Sequence, residues 1–265
     1  MEHGKCKLCL LEKALCDSHL IPRAAYDYCR PPDGNPLVAN SKLIIESSRQ
    51  LQYPLLCQDC EHVLNDGGED WVVPLFARYD GTFKFFDFLK VMTPDATDDG
   101  YDGYAAVKNP DIKPHKLIHF ALGIFWKAAV HSWAGGRRDP LIELGKYRET
   151  TRTFLRSETG FPERMALNIG VMRPPVKDIA FLAPFRTDEH AFHRFYFYTS
   201  GICWTLSVGK SVDDELRKSC VAVNPGRPII VGNFSPDVRH VFSTILRFAK
   251  KAQNVGKYLK PRSKP

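Results

Sequence analysis

Between residues 115 and 133 apolar side chains recur at Leu117, Phe120, Ala121, Ile124, Phe125, Ala128 and Ala129, a three-and-four spacing that places them on one helical face. Gly135-Gly136 supplies a stop, and Asp139-Pro140 reads as the cap and first residue of a second helix through about residue 155. Two such helices in succession predict an antiparallel pair. After Gly160 the texture shortens to runs of branched and aromatic residues at 165–172, 179–184, 191–198, 202–208 and 221–223, parted by Pro174-Pro175, Ser200-Gly201 and Pro225-Gly226. A small antiparallel sheet is the expected product. Ser235-Pro236-Asp237 caps a last helix to about residue 259, with Val238, Val241, Phe242, Ile245, Leu246 and Ala249 on one face and a basic end.

The first 70 residues have a different character. They are rich in cysteine and turn formers and carry no long periodic stretch, as in a small module stapled by a metal. Apolar, aromatic-rich runs at 71–76 and 83–89 follow, and the acidic, glycine-containing segment 95–103 reads as an exposed loop joining two parts. The expected organisation is an N-terminal metal module, residues 1–75, and an α+β domain with an antiparallel sheet, residues 76–265.

Composition adds limits. The chain is 44% hydrophobic and 25% charged, which excludes wholesale disorder, and its longest apolar segments are broken by charges, which argues against a membrane span. The start Met-Glu-His-Gly-Lys-Cys lacks the apolar stretch of a secretory signal, so a cytoplasmic location is expected. A net charge of +7 suits a polyanionic partner such as DNA. In a reducing compartment eight cysteines do not make a disulfide framework. Cys6-Lys7-Leu8-Cys9 and Cys57-Gln58-Asp59-Cys60 instead place two thiolates each on a tight turn, and together they make a four-thiolate zinc site. Such a site has no open coordination position, so this zinc is structural and the chemistry lies elsewhere. Cys16, Cys29, Cys203 and Cys220 stand alone and read as small buried residues.

Between the cysteine pairs stands Ser18-His19-Leu20-Ile21-Pro22, and the second pair is entered as Leu56-Cys57-Gln58-Asp59-Cys60-Glu61. This order of motifs, confined to about the first 70 residues, resembles the HNH endonuclease family in its zinc-pinned C-x-x-C form. The resemblance implies a ββα-metal fold, a β-hairpin followed by a helix, that cuts phosphodiester bonds with one divalent cation, Mg²⁺ or Mn²⁺. His19 matches the general base, a role that suits an imidazole near neutral pKa. Family members commonly place an acidic residue or histidine as metal ligand where this chain has Ser18, with Asp17 one place earlier. Glu61 stands where the family has histidine or asparagine, and it is a competent oxygen ligand for Mg²⁺. Asn65, four residues on, shares its helix face, and Glu69 follows one turn later if Gly67-Gly68 does not break the helix. The family's middle asparagine, which orients the histidine, falls between Pro22 and Leu55, at Asn40 in preference to Asn35.

The expected function is therefore DNA hydrolysis, with a role in bacterial restriction or anti-phage defence implied by the family alone. The larger domain would position substrate, regulate, or contact a protein partner. A noncatalytic zinc module that docks nucleic acid or a protein partner remains the alternative, with Ser18 in its favour. Aromatic residues around Trp126, His131 and Trp133 read as core. His190 and His193 fall on opposite faces of a strand-like run, and Arg137-Arg138 and the basic terminal helix are candidate phosphate contacts. No phosphate-binding glycine loop or serine-hydrolase motif is present.

Overall fold

The computed structural model describes residues 2–28, 30, 51–98, 100–133, 140–176, 179–187, 192–224, 226 and 229–232, and the backbone alone of 37–39 and 44–46. Asn35, Asn40, Arg137-Arg138, Asp139, His190, Cys29 and the helix expected over 235–259 lie outside the described residues.

Strands β1 (Glu2–Lys5) and β2 (Glu12–His19) pair antiparallel around the first cysteine turn, and α1 (Arg23–Tyr28) follows. After β3 (Leu37–Ala39) and β4 (Ile44–Glu46), β5 (Gln52–Cys57) returns antiparallel to β2 and runs directly into α2 (Gln58–Leu64). The helix continues through a π-helical segment, Asn65–Glu69, into α3 (Asp70–Val72) and a 3₁₀ turn, Val73–Leu75. The remaining order is α4 (Lys84–Lys90), β6 (Ala96–Asp98), β7 (Tyr101–Tyr104), α5 (Pro114–Val130), α6 (Tyr147–Leu155), β8 (Met165–Met172), β9 (Phe181–Thr187), β10 (His193–Thr199), β11 (Ile202–Val208), α7 (Asp214–Lys218) and β12 (Ile229–Gly232). The class is α+β, with a three-stranded sheet β1-β2-β5 and a larger sheet ordered β4-β3-β9-β10-β11-β8-β12-β7-β6.

Helix α5 lies between the large sheet and the helical stretch 58–72. One side meets the large sheet through Phe120 and Phe125, whose rings approach Phe197 and Trp204 at centroid distances of 4.8 to 6.3 Å. The other side meets the π-helical segment, where a Cβ on Gly68 would come within 2.4 Å of the Lys116 carbonyl and one on Gly67 within 2.2 Å of the His119 ring. The glycine pair is therefore the condition for close approach of two backbones, and the helix runs through it unbroken. Contact on both sides explains why α5 is buried around nearly its whole circumference. The buried apolar residues before and after residue 75 form one connected cluster.

Four expectations require correction. The large sheet is mixed and has nine strands among the described residues, because β12 joins β8 in parallel and β3 joins β9 in parallel. Part of its growth comes from residues 95–103, read as an exposed loop but folded as the β6–β7 hairpin, whose turn uses Gly100 at φ +83°. The helix expected from Pro140 begins only at Tyr147. The Leu141 amide donates to the Ala128 carbonyl at 3.1 Å, Ile142 and Leu144 insert into the core, and Gly145 sits at φ +54°, which a right-handed helix does not allow. Residues 221–223 form a turn instead of a strand, closed by the Val223 amide on the Cys220 carbonyl at 3.0 Å. The strands expected at 165–172 and 202–208 form over those residues, and the helices α5 and α6 pack together.

Candidate functional site

The four cysteine thiols at 6, 9, 57 and 60 all lie within 4.8 Å of one another. Tetrahedral geometry with metal–sulfur bonds of about 2.3 Å requires sulfurs about 3.8 Å apart. The Cys9 and Cys57 Sγ atoms stand at 3.9 Å. The backbone is shaped to the same end. Cys6 and Leu11 close the first turn at 2.9 Å, Leu10 adopts φ +65°, and the Cys57 amide donates to Cys6 Sγ at 3.4 Å. A leucine in the left-handed region carries strain that the surrounding bonds must hold. The Cys60 thiol and then the neighbouring amides hold the Cys6 pKa down to about 4, with that of Cys60 pushed up in return, so the cluster already favours thiolate at Cys6. Soft sulfur donors, their number and their spacing fit a structural metal such as zinc.

The cleft lies at the end of β2, where His19 closes the strand. Strands β2 and β5 are in register from Leu15↔Cys57 and Cys16↔Leu56, then shift so that Asp17 faces Pro54, which leaves Leu55 as a bulge. The Leu55 carbonyl accepts from the Lys7 amide in the cysteine turn at 3.1 Å, tying the cysteine cluster to the strand pair. The Leu56 amide donates to Ser18 Oγ at 3.1 Å, and that hydroxyl donates to Glu61 Oε1 on α2. Alternation along β2 therefore sends Ser18 inward and Asp17 to solvent. Asp17 does not line the cleft.

His19 closes β2 at the mouth of an open cleft of about 440 Å³ that it shares with Glu61, Asn65 and Glu69, with Arg23 at the rim. In an α-helix at about 100° per residue, eight residues leave about 80° between side chains. The wider π-helical turn underwinds the helix and brings Glu69 back toward the face of Glu61. Burial raises the Glu61 pKa, against the opposing pull of the Ser18 hydrogen bond. The His19 pKa is lowered by burial first and then by the charges of Lys127 and Arg23, so its neutral form is favoured.

Lys127 was absent from the candidate residues. It is 2% exposed, and its Nζ donates to the His19 carbonyl at 2.8 Å and to Glu69 Oε1 at 2.9 Å. A buried ammonium from α5 thus fixes both the backbone of the histidine and one carboxylate. The signal was present in the sequence as the one charged residue of the apolar run from Phe120 to Val130, where a buried charge requires a partner. A second tie runs from Arg152 Nη1 on α6 to the Leu8 carbonyl at 2.7 Å, behind the cysteine turn.

Among the described residues only the cysteines gather three or more metal-ligating groups within 4.8 Å. The carboxylates of the cleft, Glu61, Glu69 and Asp70, and its imidazoles, His19 and His62, do not gather as closely. Of the isolated cysteines, Cys203 and Cys220 are buried, and Cys16 is half-buried. No helix among the described residues is long and apolar enough to cross a membrane. Comparison with protein-family models, curated proteins and solved structures found no match to this chain.

Proposed function

We propose that the chain is a metal-dependent endonuclease of the HNH type that hydrolyses phosphodiester bonds in DNA, in the service of bacterial restriction or anti-phage defence. The observation that carries this reading is the shared cleft, where a desolvated neutral imidazole faces the same open space as the carboxylates of Glu61 and Glu69. The antiparallel pair β2–β5 running into α2, with the cysteine cluster behind it, supports a ββα-metal arrangement. In this mechanism His19 takes a proton from water as its oxygen attacks phosphorus, the bond from phosphorus to the leaving sugar oxygen breaks, and that oxygen is protonated by solvent. Glu61 and Glu69 would hold Mg²⁺ or Mn²⁺, which supplies charge neutralisation at the phosphate. Ser18 aims Glu61, Lys127 holds the His19 backbone, and Arg23 offers a cation to the approaching DNA backbone.

Incubation with supercoiled plasmid and Mg²⁺ or Mn²⁺ is expected to give nicked and linear products. His19→Ala is expected to slow this by about 10²–10⁴-fold, the usual worth of a positioned general base. Because the imidazole is held below its ordinary pKa of 6.5, the base form persists at neutral pH and the rate should fall only on acidification below that value. A second reading, a noncatalytic zinc module that docks DNA or a protein partner, is favoured by Ser18, whose hydroxyl is engaged with Glu61 where the family carries a metal ligand. Plasmid left intact by folded wild-type protein, with DNA binding retained, would select that alternative.

A further inference from the structure

The large sheet has a second face, turned away from α5, whose side chains neither the metal centre nor the cleft employs. Along β10 and β11 the residues Phe195, Phe197, Trp204 and Leu206 are buried on the α5 side, so Arg194, Tyr196, Cys203, Thr205 and Ser207 project the other way. We propose that this face binds a small organic anion, a phosphate or carboxylate carried on an aromatic or apolar body.

The face is concave because its central strands carry small residues and its margins large ones. Cys203 on β11 and Gly170 on β8 are cross-strand partners and form a low floor, while Tyr196 on β10 and Tyr101 on β7 stand at opposite margins. Leu216 and Ser219, brought in by α7, close one end. The resulting pocket holds about 320 Å³, within the range of small-molecule sites.

Its chemistry is graded from end to end. Arg194 and Ser207 are directly opposed across β10 and β11, which sets a guanidinium beside a hydroxyl. Ser207 is 1% exposed, and its Oγ has no hydrogen-bond partner although it lines the pocket. A buried hydroxyl left unpaired costs free energy that a ligand oxygen would recover. The next row along the strands is Tyr196, Thr205 and Asn168, and beyond it Gly170 faces Ile230 of β12. Among the described lining residues the one cation is Arg194, whose guanidinium also donates to the Tyr196 hydroxyl at 3.4 Å. An anionic head at Arg194 and Ser207 with an apolar body toward Gly170, Ile230 and Tyr101 matches that gradient.

Phenyl phosphate and benzoate, titrated into the full-length zinc-loaded protein by calorimetry, probe the two head groups, with benzyl alcohol as the uncharged control. Saturable binding of either anion is expected, and the tighter of the two identifies the head group. Arg194→Met and Ser207→Ala should each weaken it by about tenfold, the worth of one charge-assisted or one buried hydrogen bond. Gly170→Leu should abolish it. A Cβ there meets only the Cys203 Cβ at 3.6 Å and its carbonyl at 4.0 Å, so the added atoms fit the backbone and fill the pocket. A Gly170→Leu variant that failed to fold would leave the two polar substitutions to decide, each checked by its thermal midpoint. Absence of saturable binding for both anions, equal binding of benzyl alcohol, or affinity unchanged in the folded variants would overturn the proposal.

Discussion

Removing zinc is expected to unfold the N-terminal 70 residues. A four-thiolate site contributes about 10–16 kcal/mol of apparent folding free energy, which equals or exceeds the whole stability of an ordinary domain. The cysteine turn holds Leu10 in a strained conformation, and β1, β2 and β5 form a sheet of only three strands. A chelator strong enough to strip zinc, or Cys57→Ser, should therefore abolish amide protection along β2, β5 and α2 in hydrogen exchange. Dialysis that removes only Mg²⁺ should leave that protection intact. Because the buried side chains on both sides of residue 75 form one cluster, the loss should also lower the melting midpoint of the remainder. Purified protein containing no bound metal and showing full protection would refute the four-thiolate assignment.

The second large effect belongs to Lys127. Replacing it with methionine keeps most of the volume but leaves Glu69 and the His19 carbonyl without their donor. Breaking one side of a buried ion pair typically costs about 3–5 kcal/mol, because the partner charge stays behind. Lys127→Met should lose that much in urea unfolding, and the double variant with Glu69→Leu should recover a substantial part of it. A single substitution within about 0.5 kcal/mol of wild type, the range of ordinary surface changes, would show that the pair is not buried in solution.

What could be read in the sequence depended on whether the determining contact was local. The cysteine pairs announced themselves through spacing, and the structure gathers them as spacing required. The strands at 165–172 and 202–208 were legible for the same reason, since runs of branched and aromatic residues and the turn residues that part them are near-neighbour properties. Residues whose role is set by distant contacts were harder. Gly67-Gly68 looked like a helix breaker because its reason lies in α5, about fifty residues further along the chain. Lys127 appeared as a defect in an apolar face because both its partners lie in the N-terminal module. Ser18, noted as a departure from the expected ligand, turns out to receive the Leu56 amide and to aim Glu61, a function visible only once the bulge at Leu55 has formed. The β6–β7 hairpin was hidden by its acidity, although Asp99-Gly100 is a recognised turn pair. Its position beside β12 is a long-range outcome.

The central claim, that His19 and Glu61 work a phosphodiester hydrolysis in one cleft, is tested most directly by single-turnover cleavage of an end-labelled DNA duplex under Mg²⁺ titration. Zinc-loaded wild type, His19→Ala and Glu61→Gln should separate cleanly. Wild type should cut, His19→Ala should remain slow even at saturating Mg²⁺, and Glu61→Gln should need at least about tenfold more Mg²⁺ to reach half its maximal rate. A folded, zinc-loaded wild-type protein that leaves the duplex whole at every Mg²⁺ and Mn²⁺ concentration would contradict it.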